Sequence, residues 1–339
     1  MRALITGASG FIGSTLIEEL NSLGFEVYAL MRKTSSAANL KDLKYQRVEG
    51  DLSDFASLKL AVQSHGGMNY VFHLAGAVSA PSREAYLECN AAGTERLARA
   101  VAESGVVLSR FVYVSSLAAG GPALSRKPRA EGDGDAPVSA YGESKRQGEQ
   151  DLIQYQGRFP ISIIRPPLVY GPKDKNVFIL IRTVAKNLMP ILAGSKHGDG
   201  DGKKYYSVIH VRDLVRGIVQ AALAPVEKVP SGEIFYLADD SVHSYQEFLG
   251  SIAEGLGNQP LSFPVPKFAI RAGAYAATIA GKLTGRSFAL NMDKLNEILP
   301  DYWICSNEKA KKMLGFSSEF QLKAGMSQTI QWYRRQGWL

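Results

Sequence analysis

Along the first half of the chain, apolar positions recur in two alternating rhythms. Short runs rich in β-branched and aromatic residues read as strands. Longer stretches with apolar residues three and four apart read as helices. Arg2 to Thr6 reads as a first strand, and Gly10 to Leu23 as a helix with Phe11, Ile12, Leu16, Leu20 and Leu23 on one face. Strands are expected at Phe25–Met31, Tyr45–Glu49, Tyr70–Leu74, Arg110–Val114 and Ile161–Arg165. Helices are expected from Asp54 to Gln63, from Arg83 to Ser104 and from about Ala140 onward. A loop rich in glycine, proline and charge, Gly120 to Pro137, separates the last two. Strands alternating with helices predict a parallel sheet with crossover helices on its faces.

Past Pro166-Pro167 the alternation fades. Gly171 to Lys204 mixes glycine, proline and charge around an apolar helix near Val177–Lys186. A strand-like Glu233–Leu237 and helices near Tyr245–Gly255, Lys267–Thr284 and Glu308–Leu314 follow. The expected fold class is α/β, a Rossmann-type doubly wound parallel sheet with a smaller C-terminal lobe. Residues 1–170, with 205–240 returning to them, would form the nucleotide-binding part; 171–204 and 241–339 would form a substrate-binding lobe.

Composition changes this picture little. At 339 residues, 45% hydrophobic and 21% charged, the chain is ordinary for a globular protein. The most apolar stretch, Phe268 to Leu283, is interrupted by Arg271 and Lys282, so no membrane span and no membrane partner are expected. Two cysteines, Cys89 and Cys305, suggest neither a disulfide framework nor a metal cluster, and a cytoplasmic location fits. The net charge of +7 is spread along the chain in short runs, which argues for a solvated basic surface and against nucleic-acid binding.

Thr6-Gly7-Ala8-Ser9-Gly10-Phe11-Ile12-Gly13 places three glycines between a strand and a helix. Such a loop allows a tight turn, close backbone approach to a pyrophosphate and close helix–strand packing. The helix N-terminus behind it presents free N–H groups to an anion. With 33 glycines in the chain, spacing alone is weak, and position directly after the first strand is what makes it informative. The second expected strand ends at Met31-Arg32-Lys33. A carboxylate there would select NAD through the ribose hydroxyls; Arg32 and Lys33 offer positive charge for a 2′-phosphate and tilt the cofactor toward NADP. Gly50-Asp51-Leu52 follows the third strand, where Asp51 can accept from the adenine amino group or else cap a helix.

Tyr141-Gly142-Glu143-Ser144-Lys145 puts a phenol and an ammonium four apart on one helix face. A tyrosine is a poor base near its usual pKa of about 10, and a neighbouring ammonium favours the phenolate. Ser115 and Ser116 stand at the carboxyl end of the fifth strand, where doubly wound sheets bind ligands.

In order and spacing the chain resembles the extended short-chain dehydrogenases over nearly its whole length. The matching features are the glycine loop, His73-Leu74-Ala75-Gly76, and Asn90 with Gly93-Thr94. They continue through Tyr113-Val114-Ser115-Ser116, Tyr141-x-x-x-Lys145, Arg165-Pro166-Pro167-Leu168-Val169-Tyr170-Gly171-Pro172 and Ile209-His210-Val211-Arg212-Asp213. The resemblance implies an NAD(P)-dependent oxidoreductase with Tyr141 as acid/base, Lys145 lowering its pKa and holding the nicotinamide ribose, and Ser116 orienting the substrate oxygen. Leu74, Ala75 and Gly76 would line the cofactor, Pro167 and Val169 would flank the nicotinamide, and Asn90 would bend its helix or lie beside the cofactor. His210 would anchor a loop. A homodimer paired through Arg83–Ser104 and Tyr141–Tyr155 would also be in keeping with the family.

Departures narrow the branch. Leu117-Ala118 follow Ser116 where dehydratases of the family carry Asp-Glu, so elimination of water is not expected. Tyr206 stands where epimerases place a diphosphate-binding arginine, with Arg286, Lys173 and Lys175 as possible substitutes. The apolar stretch Phe263–Leu290 suggests a less polar ligand. The chain is most similar to the dihydroflavonol reductase and 3β-hydroxysteroid dehydrogenase branch. The expected partner is therefore a small, partly apolar carbonyl or alcohol substrate. A nucleotide-sugar epimerase and a non-catalytic NADP-binding sensor or scaffold are the rival readings.

Overall fold

A computed structural model describes residues 1–194, 201–284 and 291–339. Its centre is a seven-stranded sheet in which every neighbouring pair is parallel. From one edge the strands are Glu233–Tyr236, Ile161–Arg165, Arg110–Val114, Tyr70–His73, Arg2–Thr6, Glu26–Met31 and Gln46–Glu49. Chain order reverses direction between Arg2–Thr6 and Tyr70–His73, where Thr6 sits opposite His73. Crossover connections leave these two strands on opposite sides of the sheet, so a crevice opens at their carboxyl ends.

The strands are buried on both faces, as parallel strands between helices must be. Ala3 and Ile5 face one core with Leu16, Ile17 and Leu20 of the helix Phe11–Ser22 and Leu214, Val215 and Ile218 of the helix Val211–Leu223. Leu4 faces the other core with Leu58, Leu97, Val101 and Leu152, carried by the helices Phe55–Gln63, Gly93–Glu103 and Ala140–Ile153. That one-residue alternation is the period-two signature of the sequence made physical.

The expected helix from Arg83 to Ser104 is three pieces. Helical turns at Arg83–Leu87 and Gly93–Glu103 flank a π-helical turn, Glu88–Ala92, that contains Asn90. After Pro166-Pro167 the chain leaves the main sheet, since consecutive prolines donate no ladder hydrogen bonds. Tyr205–His210 lies at the centre of a second sheet, pairing with Leu168–Tyr170, Val242–Ser244 and Tyr302–Trp303. Leu188–Leu192 pairs with Leu261–Val265, and the helices Lys175–Ala185, Tyr245–Leu256 and Leu322–Arg335 close a third core around Tyr170, Phe248 and Tyr333. Tyr205–His210, Val211–Leu223 and Leu322–Arg335 were not among the expected elements. Arg286, expected as a substitute cation, and Phe288 of the apolar stretch lie outside the described residues.

Arg165, 1% exposed, ends its strand inside a ring of acceptors. Its Nε and Nη2 donate to Glu149 at 2.9 and 2.5 Å, while Nη1 and Nη2 donate to Asp135 at 2.7 and 2.9 Å. Nη1 also donates to the Tyr236 hydroxyl at 3.2 Å. One guanidinium thus joins the Ile161–Arg165 strand, the Ala140–Ile153 helix and the glycine-rich loop before it. Without the Glu149 carboxylate the guanidinium keeps Asp135 but loses its charge-assisted bonds to Glu149. Glu149→Gln is expected to lower unfolding free energy by about 1.5–3 kcal/mol in urea titration; an unchanged midpoint would show that Asp135 alone satisfies Arg165.

Candidate active site

The crevice is a cavity of about 730 Å3, within the range of small-molecule and cofactor sites. Gly7, Ser9, Gly10, Phe11, Ile12 and Gly13 line one end, and Ser115, Ser116, Tyr141 and Lys145 line another wall. Leu74, Gly76, Pro167 and Val169 also face it.

The glycines are where side chains do not fit. Gly7 has φ +70°, and a Cβ there would lie 2.7 Å from Ala75 N. A Cβ on Gly13 would lie 2.2 Å from Gly7 O, and one on Gly76 would meet Asn90 Oδ1 at 2.8 Å and Lys145 Nζ at 3.5 Å. Gly10 caps the helix Phe11–Ser22 without a side-chain acceptor, which leaves the first N–H groups pointing at the cavity.

A buried relay holds the two strand ends together. Ala75 N donates to Thr6 Oγ1 at 3.1 Å, and Thr6 Oγ1 lies 2.6 Å from His73 Nδ1. His73 Nε2 meets Thr94 Oγ1 at 2.9 Å, and Thr94 donates onward to Asn90 O at 2.6 Å. The Thr94 proton is spent on Asn90 O, so His73 Nε2–H donates to Thr94, and with the imidazole neutral Nδ1 accepts from the Thr6 hydroxyl. Burial first, and the Lys145 charge second, push its pKa down to about 3. Asn90 continues the relay within the π turn. Its Oδ1 accepts from Ala77 N at 2.7 Å, and its Nδ2 donates to Ala77 O at 3.0 Å and Ser144 Oγ at 2.9 Å.

Ser116 caps the short helix Leu117–Gly120, its Oγ accepting from Ala118 N at 3.1 Å, and it hydrogen-bonds the Tyr141 phenol. Burial raises the Tyr141 pKa above its ordinary value; the Ser116 bond works against this, and Glu297 and Tyr86 add to it. Lys145 Nζ donates to Val114 O at 2.8 Å and lies 4.4 Å from the centre of the Tyr113 ring. Burial pulls the Lys145 pKa down to about 8, against a raising influence of Glu149. Ser115 Oγ is buried with no hydrogen-bond partner among the described residues and faces the same cavity.

Other predicted residues stand off the cavity wall. Arg32 and Lys33 are exposed; their carbonyls accept from Arg47 Nη2 at 2.7 and 3.1 Å, and Lys33 pairs with Glu49 at 3.4 Å. Asp51 Oδ1 accepts from Ser53 N and Oγ at 2.9 and 2.8 Å, which holds its carboxyl below the ordinary range. The helix cap in that turn is Asp54 instead, accepting from Ala56 N and Ser57 N. Leu52 packs beside Gly93. Tyr206 packs against Tyr245, ring centres 6.1 Å apart, as part of the core around Trp303. His210 caps the helix Val211–Leu223 and stacks on Phe320 at 4.1 Å. Burial holds its pKa down at about 4.

Asp293, Lys294, Glu297 and Asn39 have no counterpart in the sequence analysis, whereas Lys173 was expected there as a substitute cation. Asp293, Lys294 and Glu297 come from the helix Met292–Ile298. Asp293 accepts from Ala140 N at 2.6 Å, adding a carboxylate where the Tyr141 helix dipole is positive. Glu297 accepts from Ser139 Oγ at 2.8 Å, and Lys294 Nζ, 4.9 Å from the Tyr141 ring centre, lines the cavity. Asn39 donates to Ser9 O at 3.0 Å. Lys173, half-buried on the same cavity, reaches Ser14 Oγ at 3.2 Å and Asn39 O at 3.4 Å.

A helix N-terminus behind a side-chain-free turn, a topological switch point and an unsatisfied serine hydroxyl together fit a nicotinamide dinucleotide, with its pyrophosphate on the glycine loop. Fold and site define a dinucleotide-dependent enzyme of the extended short-chain dehydrogenase class. The chain matches the NAD dependent epimerase/dehydratase family over residues 3–238 and belongs to it. It is 28% identical over 336 residues to a ceramide reductase of Caulobacter vibrioides, covering 99% of this chain and 95% of that one. It is also 28% identical over 315 residues to a 4-hydroxy-2-methyl-3-oxo-4-farnesyl-3,4-dihydroquinoline-1-oxide ketoreductase of Stigmatella aurantiaca, covering 87% and 90%. A UDP-glucose 4-epimerase structure from Thermotoga maritima shares the fold, with TM-score 0.78, 22% identity and 99% of each chain covered.

His73 supplies a test of the relay. Its folded pKa lies below the ordinary 6.5, so the unfolded chain takes up the proton first and stability falls as pH drops from about 6.5 toward 3. His73→Gln should flatten that slope in urea melts between pH about 6.5 and 4, leaving the His210 share. An unchanged slope would mean His73 is not held neutral.

Proposed function

We propose that the protein reduces a ketone, or oxidises the corresponding secondary alcohol, on a largely hydrocarbon substrate, with NADP as the preferred cofactor. The observation that carries this reading is the Ser116–Tyr141–Lys145 wall in the cavity that starts at the glycine loop. A nicotinamide dinucleotide held on the glycine loop would supply or accept the hydride. Tyr141 Oη, kept protonated by burial, gives its proton to the carbonyl oxygen in the reductive direction. Ser116 Oγ holds that oxygen beside the phenol. Lys145, anchored on Val114 O and lining the cavity, would hold the ribose hydroxyls of that dinucleotide. Lys173 and the free N–H groups at Phe11–Ile12 would face the phosphates.

Tyr206 argues against a nucleotide-sugar epimerase, since a packed phenol cannot replace a guanidinium on a diphosphate. Both reductase relatives are named for substrates with long hydrocarbon parts, ceramide and a farnesylated quinoline. Arg32, Lys33 and Arg47 crowd the end of the second strand with positive charge, which favours a 2′-phosphate.

Tyr141→Phe is expected to cut turnover by about 10²–10⁴-fold while the dinucleotide Kd stays within roughly twofold. Turnover near the native level would remove Tyr141 from the mechanism. Arg32→Asp should shift preference from NADPH toward NADH in paired binding titrations; an unchanged ratio would take Arg32 away from the 2′-phosphate.

A further inference from the structure

The helix Lys267–Thr284 is apolar on the side that packs and apolar on the side that does not. Its principal neighbour is the helix Met292–Ile298, tied to it by Met292 N donating to Thr278 Oγ1 at 3.0 Å. Ala274 is buried there, with Ile270 and Ala277 partly covered. On the opposite side Phe268, Ala272, Tyr275 and Ile279 stand at helical positions i, i+4, i+7 and i+11, a single stripe. Phe268 is 74% exposed, Tyr275 63% and Ile279 43%. Leu261, on the strand leading into the helix, is 71% exposed. A helix apolar all round belongs in a core or against a partner, and an exposed stripe of this kind marks a binding face.

Charge indicates the partner. Lys267 and Arg271, both exposed, flank the stripe one residue before Phe268 and Ala272, and the whole helix contains no Asp or Glu. Cations in the first turns oppose the helix dipole, so the helix's own stability does not account for them. A helix with cations and no carboxylate also offers no ion pairs to a second copy of itself. An aromatic stripe beside basic residues, too short and too interrupted to span a bilayer, suits the plane of a negatively charged lipid surface. The expectation of no membrane partner rested on the lack of a spanning segment, and a helix lying flat requires none.

We propose that Lys267–Thr284 docks the protein on an anionic phospholipid membrane, with Phe268, Tyr275 and Ile279 entering the headgroup boundary and Lys267 and Arg271 meeting lipid phosphates. The neighbouring helix carries Lys294 into the cavity, so docking brings the substrate mouth to the lipid surface. The geometry holds whether or not the ketone-reductase reading does, because it involves none of the cavity residues.

The test is cosedimentation of the full chain with vesicles of phosphatidylglycerol and phosphatidylcholine, against vesicles of phosphatidylcholine alone. Dinucleotide binding and light scattering are measured in parallel. The protein should pellet with the anionic vesicles and be released by high salt. Phe268→Ser with Tyr275→Ser, and separately Lys267→Glu with Arg271→Glu, should each lower the partition by about tenfold or more. Both variants should keep dinucleotide affinity, which shows they are folded. Equal pelleting on both vesicle types, or variants that pellet like the native chain, would overturn the proposal. So would a native dimer that the aromatic variant turns into a monomer, which would make the stripe a protein interface. A native chain that docks but binds no dinucleotide would instead sink the enzymatic reading and leave the docking intact.

Discussion

Between the turn at Gly7 and the backbone of Leu74 and Ala75 there is no room for a side chain, and the cavity is built around that approach. A Cβ on Gly7 would lie 2.8 Å from Leu74 C, in a backbone conformation that other residues rarely adopt. The approach brings the helix N-terminus and the end of the Tyr70–His73 strand to opposite sides of one crevice. Thr6, His73, Thr94 and Asn90 then lock it with a directed chain of buried hydrogen bonds. The Thr94 proton is spent on Asn90 O, so Nε2 carries the imidazole proton, and burial keeps His73 neutral so that Nδ1 accepts from Thr6.

From that lock the Ser116–Tyr141–Lys145 wall follows. Asn90 binds Ala77 on one side and Ser144 on the other, so the segment after the fourth strand and the Tyr141 helix are held in fixed relation. The π turn lets one residue of an otherwise regular helix turn its amide inward. Arg165 fixes the far end of the same helix through Glu149, and Asp293 adds a carboxylate at its start. The Tyr141 phenol is thereby held against Ser116, and burial keeps it protonated.

Much of this was legible in the sequence because it is local. The glycine loop, the Tyr141–Lys145 pair and the central strands each announce themselves within a few residues, by spacing that backbone geometry imposes. Asp293, Lys294 and Glu297 carry no such sign. They reach Tyr141 from about 150 positions away through a helix whose sequence resembles any exposed amphipathic one. Lys173 was in view as a substitute cation, but its meeting with Ser14 and Asn39 follows only from the chain crossing back over the crevice. The π turn was hidden because it depends on where Asn90 finds partners. The helix Val211–Leu223 is different. Val211, Leu214, Val215, Ile218 and Ala222 have a plain helical spacing, and a reading centred on the Ile209–Asp213 motif passes over it. The membrane face lay in plain view as an apolar stretch, but only exposure distinguishes a docking face from a core.

The most direct measurement of the central claim is to denature the protein as purified and identify any nucleotide released, then titrate the empty protein with NADPH and NADH. A reductase exchanges its cofactor every turnover. The account therefore predicts substoichiometric nucleotide and tighter binding of NADPH. Stoichiometric, tightly held NAD(H) would contradict it and point to an enzyme that regenerates its cofactor in place.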